Sequence, residues 1–578
     1  MSTPPPPVPG APSWPYCAHG ADPAADPVGC RGVHVPGHTA CLAHLADADR
    51  GAYLVALSPG ADIDHRGTPF TEPLLGALLA ALRDPATGHP RLGDARFESA
   101  AFHGKASFDS ATFHCKASFG SAIFHGHAWF GSAIFHGDTW FDSAAFQRGA
   151  GFLSAVFHCD TEFGSATFQR GAQFNSATFH GHAWFGLATF QRGVRFRAAT
   201  FHGDARFDQA VFERWVSLGP LVCAGRVRLS GAVFGGPVTL SLAARRLECR
   251  RTRWSSPAEV RLRYATVDFA HAVFEYPLTI AAEADPFVLP DGRTVAEQAL
   301  AHAPGATVRM ASLRGVDAAH LVLADVDLSG CLFTGTVHLD QLRLEGACSF
   351  DEVPPRRRRH PARFTQRRTL AEEHHWRAKQ PEAVRGWNPA VLGAGHAGPA
   401  QLAPVYRALR KAFEDGKNEP GAADFYYGEM EMRRHDRTGT TRAERGLLHG
   451  YWLLSGYGLR ASRALGWLAS AMLVTVVLLM GFGLPEDAPK QEATGTVPPG
   501  GGRVTFEIDK ADPQNPTGDR FTGKRFEKAL SVTLNSVVFR SSGQDLTTAG
   551  TYIEMTSRLV EPALLALAVL AVRGRIKR

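Results

Sequence analysis

The chain has 578 residues, a formal net charge of +7 and nine cysteines. That length allows several domains, and the charge is modest for it. The cysteines are scattered, without the compact even-numbered framework of a disulfide-built secreted protein, so a reducing, cytoplasmic setting is expected.

Residues 1–16 are Pro-rich and read as a disordered tail, without the charged and then apolar order of a signal peptide. Cys17, His19, Cys30, Cys41 and His44 follow. The Cys41-Leu-Ala-His44 spacing lets two ligands reach one metal from a single turn. Cys17, alone or with His19, and Cys30 could complete a tetrahedral site, and Gly29, Gly32, Pro36 and Gly37 suit a knuckle-like loop. The expectation for 1–50 is a tail and a structural zinc module. The alternative is unpaired thiols in a loop, because the gap between Cys17 and Cys30 matches no standard ligand pair. Residues 51–93 are expected to form a helical cap, with an amphipathic helix within Pro69–Asp84.

From Phe97 to Phe212 a phenylalanine recurs at gaps of five and six in strict alternation, a period of eleven. The series opens Phe97, Phe102, Phe108, Phe113, Phe119, Phe124, Phe130, Phe135. Two residues before each stands a small residue, Ala nearly throughout, with Thr139, Thr161 and Val194 the departures. An α-helix would spread such a series around its whole surface; a coil of short strands would stack it.

Units such as Ala-Ser-Phe-Asp-Ser at 106–110 and Ala-Thr-Phe-His-Cys at 111–115 resemble the pentapeptide-repeat family in a Phe-rich form. The resemblance implies a mainly β fold, a right-handed quadrilateral β-helix, with the large central residue and the small residue two before it pointing inward. It is specific over 94–214, weakens through Leu218, Cys223, Leu229, Phe234 and Leu240, and returns from Leu313 to Leu344. A rod over 94–350 is expected, with 241–310 either insertions in one rod or a break between two. One unit per side gives 22 residues per coil, about five coils and ~25 Å between Phe97 and Phe212 at strand spacing; a slimmer coil stays open.

On a 22-residue coil His114, His136, His158, His180 and His202 align on one face. His103, His125, Gln147, Gln169 and Gln191 align on the opposite one. Polar decoration is the plain reading; a pH-sensitive or metal-binding strip is the sharper one. Trp129, Trp140 and Trp184, each just before an inward Phe, are expected on the surface.

Residues 351–400 read as a basic Pro/Gly linker, with Arg356, Arg357, Arg358, Arg359, Arg363, Arg367 and Arg368 either solvated or set against anionic lipid. Residues 401–460 read as a helical hairpin resembling one tetratricopeptide-like pair. Tyr406, Leu409 and Phe413 stripe its first helix, and Ala422, Phe425, Tyr426 and Met430 its second. Residues 465–484 carry no charge over a membrane-spanning length. A second transmembrane helix over 551–572 must include Glu554, Arg558 and Glu561, which share one helical face and could pair with each other. Arg460 and Arg463 before the first span and the basic tail 573–578 after the second put both termini in the cytoplasm. The loop 485–550 is then external, with a re-entrant candidate at 526–540.

No phosphate-binding loop, HExxH or dinucleotide turn is present, and the regular rod offers faces rather than a pocket, so a non-enzyme is expected. The reading that uses every feature is a membrane-anchored cytoplasmic scaffold for an unidentified protein partner, with the lipid bilayer as its second partner and a homo-oligomer as a candidate state. The alternative is a two-span channel or channel-like subunit. Phe526–Phe539 and the polar run after it look like the pore helix and filter of two-span cation channels, to which pentapeptide rods are sometimes joined. The Thr-Val-Gly-Tyr-Gly that supplies a carbonyl ring is absent. A topoisomerase-binding nucleic-acid mimic, known in this family, would need an acidic rod. Between Phe97 and Arg214 nine basic residues balance nine acidic ones, so neither mimicry nor direct nucleic-acid binding is expected.

Overall fold

Each repeat unit has two extended residues, which carry the small residue in one unit (Ala106–Ser107) and the Phe in the next (Thr112–Phe113), followed by a sharp corner. The computed structural model, which describes residues 11–354, 366–381, 386–388, 395, 397–486, 491–496, 499–504, 506–510, 512–538 and 541–576, closes four such corners per turn. Ala106–Ser107 pairs in parallel with Ala128–Trp129, and that strand pairs with Ala150–Gly151, so one turn is 22 residues. The four sides of a turn start, for example, at Ala117, Ile123, Ala128 and Ile134. We number them first to fourth in that order. The residue two after every second Phe turns a corner in the left-handed region. Ser fills all eight of these positions from Ser99 to Ser176, and Leu187, Ala198 and Gln209 continue them.

The interior is a column of benzyl rings. Phe97 through Phe135 are all at most 1 % exposed. Rings one turn apart lie parallel, as Phe113 and Phe135 do at 4.6 Å and Phe124 and Phe146 at 4.8 Å. Rings half a turn apart meet edge to face, as Phe108 and Phe119 do at 5.4 Å. Both are favoured aromatic geometries. The alternating Ala leaves room for this packing.

The solenoid runs for about 12 turns over residues 91–345. It does not break at 241–310. Val238 pairs with Ala258 and Ala258 with Leu278, a shorter turn of 20 residues, and Leu278 pairs with Leu321. Residues 283–308 are therefore an insertion in one continuous rod. Their Phe287, Leu289, Val295 and Leu300 pack on Val222 and Ala243, and Arg263 bonds Glu297 at 2.8 Å. Here larger and smaller residues share the column; Trp254 stacks on Phe234 at 4.2 Å.

The N-terminal cap is more strand than the sequence suggests. Ile63–Asp64 pairs with Ala95–Arg96, and Pro69–Phe70 with Ala101–Phe102. Residues 63–70 are thus already rod, and His65 takes the inward place that Phe97 holds one turn later. Helix α1, Asp47–Ala56, lies before them, and α2, Glu72–Ala81, fills the third side of this first turn. Thr71 starts α2 by accepting the Leu74 N–H at 3.4 Å. The expected helix thus loses its first three residues to strand and corner.

The linker reading of 351–400 also changes. Arg356–Arg359 and Arg363 lie outside the described residues, but Arg368–Thr369 is a strand paired with Asp351–Glu352, and α3 follows at Ala371–Ala378. Helix α4, Pro399–Asp415, closes the same cap: its Phe413 ring lies 5.8 Å from Phe350. Arg367 is buried, donating to Glu373 at 2.6 and 2.8 Å and to Tyr406 at 3.2 Å. Arg377 reaches the same carboxylate at 2.6 Å. Burial alone would raise the Glu373 pKa, but the two guanidiniums hold it well below the usual carboxylate range. Glu372 accepts the Phe333 and Thr334 N–H groups, covering polar edge atoms at the rod's end. Tyr406, Leu409 and Phe413 are buried, as their stripe implies, but against this cap.

Two units divide the chain at Asn418, between α4 and α5, so the two helices expected as one hairpin belong to different units. The second unit, 419–578, is helical: α5 Glu419–His435, α6 Arg442–Ser455, α7 Ala461–Leu478, α8 Gly523–Val537 and α9 Thr548–Ile576. A wider helical turn, Leu479–Gly483, extends α7. On α5 it is Tyr427, not Tyr426, that is buried, packed against Tyr457 at 4.9 Å. Helices α7 and α9 are long and apolar enough to cross a membrane over Ala461–Gly483 and Thr548–Arg573. Gln491–Thr494 and Glu507–Lys510 form a hairpin between α7 and α8. Helix α8 packs on both α7 and α9.

Candidate functional site

The N-terminal module is built from turns. Cys17 N–H donates to Gly32 at 2.8 Å, Cys30 N–H to His19 at 3.0 Å, and His44 N–H to Cys41 at 2.9 Å. A Cβ on Gly32 would come within 2.6 Å of the Cys41 Cβ, so only glycine lets these two segments close. The ligand atoms of Cys17, Cys30, Cys41 and His44 lie within 4.8 Å of one another. Cys30 Sγ stands 3.7 Å from Cys41 Sγ, while His44 Nδ1 is 3.5 Å from Cys17 Sγ and 3.4 Å from Cys41 Sγ. A tetrahedron with metal–sulfur bonds of ~2.3 Å and metal–nitrogen bonds of ~2.05 Å has edges of about 3.8 and 3.6 Å. The three separations just given match these edges, and the remaining ones stay within 4.8 Å. A hydrogen bond from Cys41, against the opposing effect of burial, pulls the Cys30 thiol down to about 5. The Gly32 N–H points at the same sulfur at 3.4 Å, as in a loop that holds a thiolate. Cys41, which gives that hydrogen bond and is buried, is pushed up. These four residues could hold a metal ion. His19 is not among them: its ring stacks on His44 at 4.1 Å.

The module rests on the rod's first turn. Val33 N–H donates to Arg66 at 2.8 Å, and the Arg66 guanidinium lies 4.9 Å over Trp14.

A family model described as pentapeptide repeats, nine copies, matches residues 97–145 and 174–219. The rod belongs to the pentapeptide-repeat family. No curated protein and no solved structure matches the chain.

The sides of the pentapeptide-repeat rod carry the ladders the spacing implies. On the fourth side the rings of His114, His136, His158, His180 and His202 follow one another at 5.3, 4.8, 5.0 and 4.7 Å, near parallel. On the second side His103 stacks on His125 at 4.9 Å, and His125 bonds Gln147 at 2.9 Å. Partial burial, and then the neighbouring imidazoles, hold His136 and His180 below the ordinary histidine value. Trp129, Trp140 and Trp184 are half-buried rather than exposed. Trp140 lies under Lys116 and Trp184 under Arg206.

In the helical unit Glu554 and Arg558 pair at 2.7 Å. Glu561 joins neither; it accepts from Thr475 Oγ1 on α7 at 2.8 Å. Ser536 of α8 and Ser557 of α9 meet at 2.9 Å. The three ionisable residues thus split between a pair within α9 and a tie between the two apolar helices. Sequence reasoning missed Thr475, because only packing brings it to a carboxyl 86 residues away.

Proposed function

We propose that this chain is a membrane-anchored scaffold and not an enzyme: α7 and α9 span a lipid bilayer, and the cytoplasmic rod offers its repetitive sides to a protein partner. One observation carries the anchoring. The two long apolar helices pack on each other and still leave large side chains bare, with Leu473 64 % and Leu559 74 % exposed. In water so much uncovered apolar surface would drive aggregation, whereas in lipid it is satisfied. The flat regular sides support the scaffold part, since extended concave or flat repeat surfaces serve binding rather than chemistry. The Cys17, Cys30, Cys41 and His44 set is read as structural zinc, with all four positions taken by protein.

The anchoring test is accessibility in intact cells. Thr494→Cys is expected to react with a membrane-impermeant maleimide above the background of the native cysteines, and Ala347→Cys only after permeabilisation. Labelling of position 347 from outside would reverse the orientation. A second reading, a two-span channel, is favoured by α8, which packs on both long helices where a pore helix would stand. Ion flux through liposomes carrying the purified chain decides between them; silence across cations and pH removes the channel.

A further inference from the structure

The balanced charge of the rod conceals a separation between two opposite sides. Arg148, Arg170, Arg192 and Arg214 recur every 22 residues, so they stack at one strand spacing, roughly 4.8 Å, along the leading corner of the third side. All four are exposed, and among the described residues none makes an ion pair. Arg195 beside them lies 5.1 Å over Trp215, and a shallow trough runs between Arg170, Arg192, Arg195 and Trp215. The first side, across the rod, has the reverse excess. Asp138, Asp142, Asp160 and Glu162 crowd onto two successive turns. Burial raises the Asp142 and Glu162 pKa values, and the charges of Asp142 and Asp160 raise Glu162 further, which marks carboxylates short of cations. Farther along the same side the acids are neutralised within the chain: Arg226 takes Asp204 at 3.1 Å and Arg228 takes Asp208 at 3.4 Å.

Each side therefore carries the charge the other lacks, on the two turns where Arg148 and Arg170 stand level with Asp138 and Asp160, which share their 22-residue spacing. We propose that the partner of the arginine ladder is the acidic side of a second copy of this chain. This deepens the scaffold reading, on which it rests, by naming the partner. Two parallel rods bring Arg148 and Arg170 of one copy to the height of Asp142 and Glu162 of the other. An identical spacing keeps successive contacts in register, which an anion of different repeat would not do. The contact joins two different sides, so it is head-to-tail and does not close at two copies; it adds copies in a row.

The experiment uses the full chain in detergent micelles and follows particle mass by sedimentation. Wild type is expected to show a series of sizes growing with concentration at 50 mM salt and to fall to the smallest species, with at least a tenfold weaker association, at 500 mM. Arg148→Glu/Arg170→Glu/Arg192→Glu and Asp138→Lys/Asp160→Lys/Glu162→Lys should each abolish the series, with an unchanged β-rich spectrum. Mixing the two variants should restore association, because one then carries two acidic sides and the other two basic ones. A single salt-insensitive size for wild type, or no rescue on mixing, overturns the proposal. So does unchanged self-association of the arginine variant together with lost binding to anionic vesicles or to single-stranded nucleic acid. If the chain stays single yet binds another protein through its rod, this inference falls and the scaffold reading stands; if it does neither, both fall.

Discussion

At the scale of single residues, the rod tolerates departures from its rule at a measurable cost. His65 stands where the column wants a Phe. It is 1 % exposed, its Nε2 lies 3.3 Å from the Tyr53 hydroxyl and its Nδ1 has no partner. Burial pulls its pKa down to about 4. The native state then binds fewer protons than the unfolded chain between pH ~6.5 and about 4, so stability falls as pH drops through that window, by on the order of 3 kcal/mol. His65→Phe should flatten this part of the stability profile, read by denaturant melts at pH 7 and pH 4.5, while wild type loses stability. Leu187 is the second case. It occupies a corner that serine fills in eight earlier half-turns, with φ +60°. A branched apolar side chain held in the left-handed region costs about 1–2 kcal/mol, and asparagine adopts it more readily. Leu187→Asn should raise stability by ~0.5–1 kcal/mol, since the side chain is 57 % exposed and little packing is lost.

At the scale of elements, the unit is a two-residue strand that has no stability of its own and borrows it from the turns above and below. Phe141 touches Phe119 and Phe163 face to face, both at 4.8 Å, and Phe130 and Phe152 edge on. Phe141→Ala should cost about 3–5 kcal/mol in chemical denaturation, and Phe141→Leu much less, because a leucine at such a place keeps most of the buried volume. The histidine ladder makes a different demand. Partial burial disfavours the charged form, and the rings are close enough that protonating one disfavours the next, so His136 and His180 should titrate below the ordinary histidine value in NMR spectra. Changing both to Gln, the residue the opposite ladder already uses at 147, 169 and 191, should lessen the loss of stability on acidification below pH ~6.5. The strands were legible because one local rule recurs, and a single turn seen from Phe97 to Phe119 gives the rest. The insertion at 283–308 and the cap at 366–381 were not. Their segments repeat nothing, and Arg367, Glu373 and Arg377 look like solvated charge until Tyr406, distant in sequence, closes over them. The members of the Cys/His cluster were legible, His19 apart, but their geometry was not. Cys41 and His44 announce a turn by their spacing, whereas Cys17 and Cys30 are brought to them through backbone bonds to Gly32 and His19 that no spacing rule contains, and His19 stacks on His44 instead of joining them.

At the scale of the whole molecule, a solenoid is a one-dimensional stack, and its weakest points are its two ends. Inner turns have neighbours on both sides; end turns have one and must find a cover. The C-terminal end is covered by α3 and α4 and bound by the buried Arg367–Glu373–Arg377 cluster. The N-terminal end is covered by α1, α2 and the Cys/His module. That module is small, with Val28, Val35, Leu42 and Leu45 as its main buried side chains, too few to order thirty residues unaided. A metal at Cys17, Cys30, Cys41 and His44, which these residues could hold, would supply what the core lacks, because the unfolded chain has no assembled site and binding energy becomes folding energy. Removing it should therefore act locally and from one end. Chelation of the purified chain should release about one metal ion per chain by elemental analysis, and the same loss should follow Cys17→Ser/Cys41→Ser. Amide exchange should then quicken first in residues 14–46, next in the strands at 63–64 and 69–70 that carry the module, and least in the turns between Phe130 and Phe174, whose covers are other turns. Uniform acceleration along the rod, or no change at 63–70, would mean the module hangs from the rod without holding its end.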